Sequence, residues 1–356
     1  MLELSTFQWI ILILFVLMCI HYLIRVSYSY SESGDLKEGF APADSAAEGF
    51  AADSAAYLNS SKMNEGFGDL EKTDKLYNWI TDPSLIYDDV YAEIYDKLAI
   101  HQKRLSAETA LCIKAWSEGN AAPIQKWSVL DVGCGTGIVC AAFAKMGAGR
   151  VVGLDMSPAM LRRAKLNLEN NKDLNDDQKA VITWRQDNAY HVNACTLGEF
   201  THVTVTYFSI YYMKDKELFF RHMHGWTKPG GRMAIEVVNK HKFDPMLEAA
   251  NPFVFSMQKY TDKRIKKSVV KFNKFDYEGD FDLDPDNEDK AEFREVMNFT
   301  DKGEVRRNKH ILYMPAFPQI IADAERAHWK YVGFQDLLPI GFEYAYLLMF
   351  ERDDSV

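Results

Sequence analysis

The chain has 356 residues, of which 47% are hydrophobic and 26% are charged, and its formal net charge is −10. This composition is typical of a globular protein and excludes a fully disordered or collagen-like chain. The acidic balance provides no basic face, so nucleic-acid binding is not expected. The five cysteines, at positions 19, 112, 134, 140 and 195, lack paired spacing, which indicates free thiols in a reducing compartment.

The N-terminal segment is strongly apolar. Residues 4–24 contain no Asp, Glu, Lys or Arg, and the run 9–20 is continuously apolar. A helix of this length reaches roughly 30 Å, which is enough to cross a bilayer. A cleaved signal peptide is the alternative, but no basic segment precedes the run and no A-x-A site follows it. We predict that residues 1–26 form a single-pass membrane anchor, and the absence of Lys or Arg before it favours a cytosolic location for the rest of the chain.

Residues 27–69 are rich in Ala, Ser, Gly and acidic side chains and poor in aliphatic ones. Such a segment cannot bury enough apolar surface to become ordered, so it is predicted to be a disordered acidic linker. The tripeptide Glu-Gly-Phe occurs in it three times, at 38–40, 48–50 and 65–67. The repeats are either a docking motif for a protein partner or a tandem duplication of linker sequence.

The segment that follows, up to residue 127, is predicted to be helical. It contains Tyr87, Tyr91 and Tyr95 at four-residue spacing, which places the three rings on one helix face. A stripe of this kind is typical of a buried helix face, and its hydroxyl groups also suit contact with a polar ligand.

The most informative segment is Val129-Leu-Asp-Val-Gly-Cys-Gly-Thr-Gly137. Its apolar start predicts a buried strand, and its three glycines predict a tight turn into a helix that begins near Ile138. Glycine at alternate positions removes every Cβ from the turn, so a ligand can lie directly against the backbone. A second predicted strand, 150–154, leads to Asp155, whose carboxylate can accept both hydroxyl groups of a ribose.

The order of these residues resembles the nucleoside-binding half of class I S-adenosylmethionine (SAM) dependent methyltransferases. The competing dinucleotide-binding fingerprint, G-x-G-x-x-G, fails here because Ile138 occupies the position of its third glycine. The resemblance therefore implies SAM as the cofactor. It also implies that the tyrosine-bearing helix is the lid that covers the cofactor in many small-molecule methyltransferases.

Helices and strands alternate after the glycine turn. A helix starts at Ser157-Pro158 and runs to about residue 170. The later predictions are strands 180–184, 202–207 and 232–238, a helix 215–227, a turn 228–231, a helix 318–330, a turn 333–334, and an antiparallel pair of strands 335–339 and 344–351. This pattern predicts an α/β fold, a doubly wound Rossmann-like sheet of seven strands with an antiparallel last strand, in a methyltransferase domain of residues 70–356.

Residues 241–315 interrupt this pattern and are predicted to be a small β-rich cap insertion. Its predicted strands are 268–277, 291–300 and 304–314, with a hairpin turn at 301–303. Asp280-x-Asp-x-Asp-x-Asp286 imitates a calcium loop, but Pro285 and Ala291 replace the required Gly and Glu. It is therefore interpreted as a solvated acidic loop, and no metal site is predicted.

The resemblance also implies which residues contact the cofactor. Tyr91 is expected at the methionine carboxylate or the sulfonium, Asp131 at the amino group, Asp155 at the ribose, Met156 against the adenine, and Asp187 at the adenine amino group. The further contacts are predicted to be Gly133, Cys134, Gly135, Gly137, Asn188 and Tyr207.

A hydroxyl or ammonium acceptor requires a general base, whereas a carboxylate acceptor does not. The candidates are His310, Glu236 and Tyr211, with His241 as a further possibility; a histidine titrates nearest to neutral pH. Enzymes that methylate base amino groups usually carry Asn/Asp-Pro-Pro-Tyr after the fourth strand. This chain has Tyr207-Phe-Ser-Ile there, which argues against a nucleic-acid substrate.

The leading hypothesis is a membrane-tethered methyltransferase that acts on an oxygen or nitrogen atom of a small-molecule or lipid-like acceptor. The alternatives are a protein methyltransferase for membrane-associated substrates and a catalytically silent membrane scaffold that uses the Glu-Gly-Phe repeats.

Overall fold

The structure is a computed structural model that describes residues 79–98, 102–118, 122–245, 264–300 and 302–355. The predicted anchor, 1–26, and the predicted linker, 27–69, lie outside these ranges and remain predictions. Within the described ranges, no helix combines the length and the apolar character needed to cross a membrane.

The described chain consists of eight α-helices and eleven strands in two sheets. In chain order the helices are α1 Pro83–Ile86, α2 Asp89–Leu98, α3 Gln102–Ser117, α4 Ile138–Lys145, α5 Pro158–Glu169, α6 Asp176–Ala180, α7 Lys216–Trp226 and α8 Phe317–Arg326. The strands are β1 Ser128–Val132, β2 Arg150–Asp155, β3 Ile182–Gln186, β4 Phe200–Val205, β5 Thr227–Val238, β6 Lys267–Lys271, β7 Asp276–Leu283, β8 Lys290–Phe299, β9 Glu304–Tyr313, β10 Trp329–Asp336 and β11 Ala345–Arg352.

The larger sheet of the described chain has seven strands in the order β10-β11-β5-β4-β1-β2-β3. Strands β1 to β5 are parallel, and β11 is antiparallel to both of its neighbours. The strand order reverses between β1 and β4, and ligands of open α/β sheets bind at such a point, outside the carboxyl ends of the strands. The predicted fold class is therefore confirmed, apart from the untested membrane helix.

The second sheet is the predicted cap insertion, and it is antiparallel in the order β6-β7-β8-β9. It is attached to the segment around α2. Ile80 forms a parallel bridge to Asn308, and the Arg306 guanidinium pairs with Asp88 at 2.7 Å. One face of α2 packs against the cap in a shared apolar cluster that includes Tyr91, Met297 and residues around them. The tyrosine-bearing helix and the cap are thus packed together.

Two buried lysines outside the cap sheet, Lys216 and Lys240, form hydrogen bonds with backbone carbonyls next to the cap strands. The Lys216 ammonium donates to the carbonyl of Tyr313 at 2.7 Å and to that of Met213 at 2.8 Å. The Lys240 ammonium donates to the carbonyls of Met314 and Glu288. Because burial is the main cause that lowers the pKa of Lys216 to about 8, this lysine is held by polar partners at an electrostatic cost.

Several elements around the seven-stranded sheet differ from their predicted bounds. The third strand begins at Ile182 because residues before it form α6, which Asn175 and Gln178 stabilise through a capping box. The fourth strand ends at Val205, before the predicted residue 207. Helix α8 ends at Arg326, since His328 has a φ of +65° and cannot continue it.

Strand β10 also differs from the prediction, whereas β11 lies within one residue of the predicted 344–351 and pairs with β10 in antiparallel fashion. The predicted turn at 333–334 lies inside β10, where Gly333 has a φ of +135° and accommodates a bulge opposite β11. The predicted strand 335–339 is therefore wrong beyond Asp336, and a short 3₁₀ turn, Leu338–Ile340, follows instead.

In the cap, the predicted single strand 268–277 is two strands, β6 and β7, joined by a tight turn. The hairpin between β8 and β9 is confirmed, with Gly303 at a φ of +67°. The interpretation of residues 280–286 as a solvated loop was wrong for its first half. Asp280 and Asp282 lie in β7 and pair with the Arg294 guanidinium at 3.2 and 2.6 Å.

We predict that Gly153→Ala destabilises the protein. A Cβ at this position of β2 would lie 2.7 Å from the Trp184 ring and 2.8 Å from the Cys134 sulfur. Overpacking of this kind costs roughly 1–3 kcal/mol. Urea unfolding measures the loss. Gly225→Ala is the matched control, because its Cβ would meet only the exposed Leu197 side chain and alanine favours the helix. Equal stability of wild type and Gly153→Ala would contradict the packing described here.

Candidate active site

The three glycines of the turn after β1 have a backbone conformation that residues with a Cβ rarely adopt. Gly133, Gly135 and Gly137 have φ values of +71°, +53° and +83°. The N–H groups of Gly133 and Cys134 both donate to the carbonyl of Leu154, which holds the start of the turn against the end of β2. Left-handed backbone at three alternate positions explains why the sequence uses glycine there.

The carboxylate of Asp155 is held by two backbone donors. One oxygen accepts from the N–H of Gly135 and the other from the N–H of Ser157, each at 2.8 Å. Burial raises the pKa of Asp155, although these two hydrogen bonds act in the opposite direction. Each carboxylate oxygen keeps a further lone pair, so the group fits a vicinal diol of a ribose. The predicted ribose contact remains a prediction that this geometry allows.

Asp131 lies beneath the turn and is only 2% exposed. Its two oxygens accept hydrogen bonds from the Thr204 hydroxyl at 3.1 Å and from the Cys140 thiol at 3.3 Å. Burial raises the pKa of Asp131 to about 6. The carboxylate therefore ties β1, β4 and α4 together, and its predicted contact with the cofactor amino group remains a prediction.

The residues predicted to surround the adenine lie next to Asp155. Met156 is 41% exposed, and the Asp187 N–H donates to the carbonyl of Asp155 at 3.2 Å. The Asp187 carboxylate accepts from the N–H of Asn188 and contacts the His191 ring nitrogen, both at 2.7 Å. Cys134 is buried, and burial raises the pKa of its thiol to about 11. The thiol is therefore uncharged at neutral pH and lines the turn as an apolar group.

Five tyrosines, which we call the tyrosine cluster, face one another above the turn. They are Tyr87, Tyr91, Tyr95, Tyr207 and Tyr212. Five of the ring pairs have centroids 5.3 to 6.4 Å apart in edge contacts or tilted packing. Tyr95 covers the turn directly, since its ring lies 3.7 Å from the position of a Cβ on Gly135.

Helix α2 is fixed over the turn by hydrogen bonds on both flanks of the cluster. The Thr136 hydroxyl donates to Asp96 at 2.5 Å, and the Ser157 hydroxyl donates to the carbonyl of Tyr87 at 2.5 Å. The helix is therefore a cover over the glycine turn, as the resemblance implied.

His310 reaches the tyrosine cluster from the cap sheet. It is 2% exposed, with Nδ1 2.7 Å from the Tyr212 hydroxyl and Nε2 2.8 Å from the Glu295 carboxylate. Glu295 also accepts from the hydroxyl groups of Tyr91 at 3.0 Å and Tyr277 at 2.8 Å. In this structure the Tyr91 hydroxyl thus faces the cap, and its predicted contact with the methionine portion stays a prediction.

The other two candidate bases are placed differently. The Tyr211 hydroxyl accepts from the N–H of Val238 and donates to its carbonyl, at 2.8 and 3.3 Å, so its hydrogen-bonding capacity is used by the sheet. Glu236 is 1% exposed and accepts from the N–H of Tyr207 at 2.5 Å. Tyr207 and Phe208 have φ values of +48° and +66°, so Glu236 supports a strained turn at the end of β4.

Sequence reasoning missed Glu295, Tyr212 and the role of Tyr87. One signal was available for Glu295. Positions 291, 293 and 297 of β8 are Ala, Phe and Met on one side of the strand, and Glu295 interrupts this apolar series. A carboxylate in such a position requires polar partners, because an unpaired buried charge is costly.

Comparisons with known proteins agree with this geometry. The family described as "Methyltransferase domain" matches residues 129–231. A ribosomal protein L11 methyltransferase of Burkholderia multivorans is 34% identical over 136 residues, which are 38% of this chain and 39% of that protein. The chain thus spans about two fifths of the length of the curated relatives it matches.

Two solved structures share the fold. The CcbJ methyltransferase from Streptomyces caelestis aligns with a TM-score of 0.52 and 16% identity, over 75% of this chain and 98% of that one. A SAM-dependent methyltransferase from Clostridium acetobutylicum aligns with a TM-score of 0.53 and 14% identity, over 74% and 98% of the two chains.

The chain carries a SAM-dependent methyltransferase domain. The predicted enzyme class and the predicted cofactor are confirmed at this level. In the methyltransferase domain the matched segment begins at the strand before the glycine turn and ends in β5, so it contains Asp131, Asp155 and Tyr207 but none of the cap.

We predict that Asp131 makes the stability of the protein depend on pH. Its pKa is about 6 in the folded state, above the usual value near 4, so the folded state favours the protonated carboxyl. The contribution of this group is therefore most favourable below pH 4 and is lost as the pH rises through 6. At about 1.4 kcal/mol per unit of pKa, the loss is on the order of 2–3 kcal/mol.

Urea unfolding of wild type and Asp131→Asn between pH 4 and pH 7.5 measures this effect. The amide keeps the shape without the charge, so the variant gains stability relative to wild type as the pH rises. A difference between the two proteins that is the same at both ends of the range would show that Asp131 titrates normally.

Proposed function

We propose that this protein transfers the methyl group of SAM to a nitrogen or oxygen atom of a small-molecule or lipid-like acceptor, and that residues 1–26 hold it at a membrane. The observation that carries the proposal is the covered site. Helix α2 and the cap enclose the tyrosine cluster directly above the glycine turn, and an enclosed site of this kind suits a small acceptor.

The residues of the turn fit the proposed cofactor. At Gly135 the nearest side-chain atoms to the position of a Cβ belong to Met160 and Tyr95, at 3.6 and 3.7 Å, which is ordinary contact distance. The Asp155 carboxylate has further lone pairs for a diol. When bound, SAM supplies an electrophilic methyl group on a sulfonium. The chain's own part is to align the acceptor with that methyl group and to exclude water, since methyl transfer depends on near-attack geometry.

Charge also favours a cationic cofactor. Burial raises the pKa values of Asp131, Asp155 and Glu236, which means that the site would gain from a positive charge near these carboxyls. A sulfonium with an ammonium group provides such charge.

Protein methylation is a second candidate function. It is favoured by the matched relatives, which are named as methyltransferases of a ribosomal protein. The tyrosine cluster argues for the small acceptor, because α2 and the cap leave the turn covered in the described residues. A radiolabelled-methyl assay on fractionated lysate separates the two, since label enters either small extractable species or protein bands.

The membrane proposal rests on the sequence of residues 1–26, and it places the methyltransferase domain on the cytosolic side. The Glu-Gly-Phe repeats of residues 27–69 are proposed as a docking segment for a protein partner, with duplicated linker sequence as the alternative.

We predict that Asp155→Ala lowers the affinity for SAM by about 1–3 kcal/mol, the range for loss of one partner of buried polar groups. Isothermal titration of the full chain with SAM measures it. Asp173→Ala is the matched control, because the Asp173 side chain is 68% exposed and its carboxylate pairs with Lys145, not with the glycine turn. Unchanged affinity in Asp155→Ala would place the ribose elsewhere, and no binding by wild type would leave the scaffold hypothesis.

We predict that the chain without residues 1–26 remains soluble in the absence of detergent and binds SAM with the affinity of the full chain. Membrane flotation and isothermal titration test the two parts of this expectation. Co-flotation of the shortened protein with vesicles would show a second membrane attachment.

A further inference from the structure

We propose that Tyr212, His310 and Glu295 form a proton relay that removes a proton from a cationic amine acceptor held in the tyrosine cluster. This inference rests on the proposed function and deepens it, because it assigns a chemical class to the acceptor. It depends on a chain of hydrogen bonds that joins the cap to the end of β4.

The relay ends on Glu295, a carboxylate that four donors surround. The side chains of Tyr91, Tyr277, Asn308 and His310 approach its two oxygens at 2.8 to 3.2 Å. Burial alone would raise the pKa of Glu295, but His310 and the hydrogen bonds outweigh it, so the pKa lies below its ordinary value. The carboxylate is therefore ionised and only accepts hydrogen bonds.

An ionised Glu295 determines the tautomer of His310. Because the carboxylate accepts, Nε2 of the imidazole carries a proton toward it. In the neutral ring Nδ1 then has a lone pair, and this lone pair faces the Tyr212 hydroxyl at 2.7 Å. His310 is thus oriented by Glu295 to take a proton at Nδ1.

Tyr212 connects His310 to Tyr87, another member of the tyrosine cluster. Its hydroxyl is 2.9 Å from that of Tyr87, and the backbone carbonyl of Tyr87 accepts from Ser157, two residues after Asp155. Tyr212 is half-buried in the 3₁₀ turn that follows β4, whereas His310 is almost fully enclosed. The phenol is therefore the member of the relay that an acceptor above the glycine turn can reach.

The proton movement is balanced without any further reactant. An ammonium group donates its proton to the Tyr212 oxygen while the Tyr212 proton passes to Nδ1 of His310, which gives a neutral amine and an imidazolium paired with Glu295. The freed nitrogen lone pair then forms the bond to the methyl carbon as the carbon–sulfur bond breaks and leaves its electron pair on sulfur.

The tyrosine cluster favours an amine over a neutral alcohol as the acceptor. The faces of tyrosine rings attract cations, and an ammonium ion within about 6 Å of several rings is stabilised. Burial raises the pKa of Tyr87, Tyr95 and Tyr212, so these phenols stay neutral and do not compete as anions. An ammonium group has no lone pair, which is why such an acceptor needs the relay.

The experiment compares the full-length wild type with Tyr212→Phe and with the control Tyr190→Phe. Tyr190 is a suitable match because its hydroxyl also makes a 2.9 Å hydrogen bond, from the N–H of Asp215, outside the cluster. Methyl transfer from tritium-labelled SAM is measured to butylamine, benzylamine and glucosamine as amines, butanol and glucose as alcohols, and butyrate as a carboxylate.

We expect label in at least one amine, and a rate at saturating substrate that falls roughly 100-fold or more in Tyr212→Phe, as for loss of acid–base catalysis. SAM affinity, measured by titration, stays the same, and Tyr190→Phe keeps the wild-type rate. Equal rates for Tyr212→Phe and wild type, label only in alcohols or butyrate, or no label in any amine although SAM binds would each overturn the relay. Absence of SAM binding would instead overturn the proposed function, and the relay with it.

A spectroscopic readout is independent of turnover. Nitrogen-15 NMR of histidine-labelled protein, with His310→Gln to identify the signals, is expected to show the neutral His310 ring in the tautomer that carries its proton at Nε2. Tyr212→Phe should then move the Nδ1 signal of His310 and leave that of Nε2 nearly unchanged. A neutral ring that carries its proton at Nδ1 would contradict the proposal.

Discussion

The two hydrogen bonds accepted by the Asp155 carboxylate are the constraint on which the site depends. They bind the glycine turn after β1 to the start of α5, at 2.8 Å each. Ser157, which makes one of them, also caps α5 and donates to the carbonyl of Tyr87. From Tyr87 the contacts continue through Tyr212 to His310 and the cap. One acidic residue at a strand end therefore sets the position of the turn, the cover and the cap.

The cap is fixed at opposite sides by different kinds of contact. Arg306 joins it to the segment before α2 through Asp88, and the ammonium groups of Lys216 and Lys240 join it to the methyltransferase core through backbone carbonyls. Contacts with carbonyls are insensitive to which side chains surround them. The two lysine attachments therefore do not depend on the side chains of the inner face of the cap, whereas the contacts of Glu295 and Met297 with α2 do.

Sequence alone predicted the parts of the fold that follow from local chemistry. The glycine turn, the helix start with Ser157 as N-cap and Pro158 after it, and the alternation of strands and helices all follow from backbone conformation and periodicity. These predictions are confirmed. The bulge at Gly333 and helix α6 were missed, because a glycine in a strand resembles a turn and a short polar helix resembles a loop. Of the candidate bases, Tyr211 proved to be bonded to the sheet at Val238, which no sequence pattern reveals.

The connection between the cap and the cluster was also beyond prediction, since Glu295 and Tyr212 are distant in sequence and meet only through the tertiary fold. The turn after β4 contains two aromatic residues with left-handed backbone, Tyr207 and Phe208. Glycine would relieve that turn, but it would remove the Tyr207 ring from the tyrosine cluster and the Phe208 ring from its contacts with Tyr211 and Phe243. A substitution that raises thermal stability at these two positions would therefore also change the side chains near the acceptor. Stabilising substitutions are better made elsewhere in the chain.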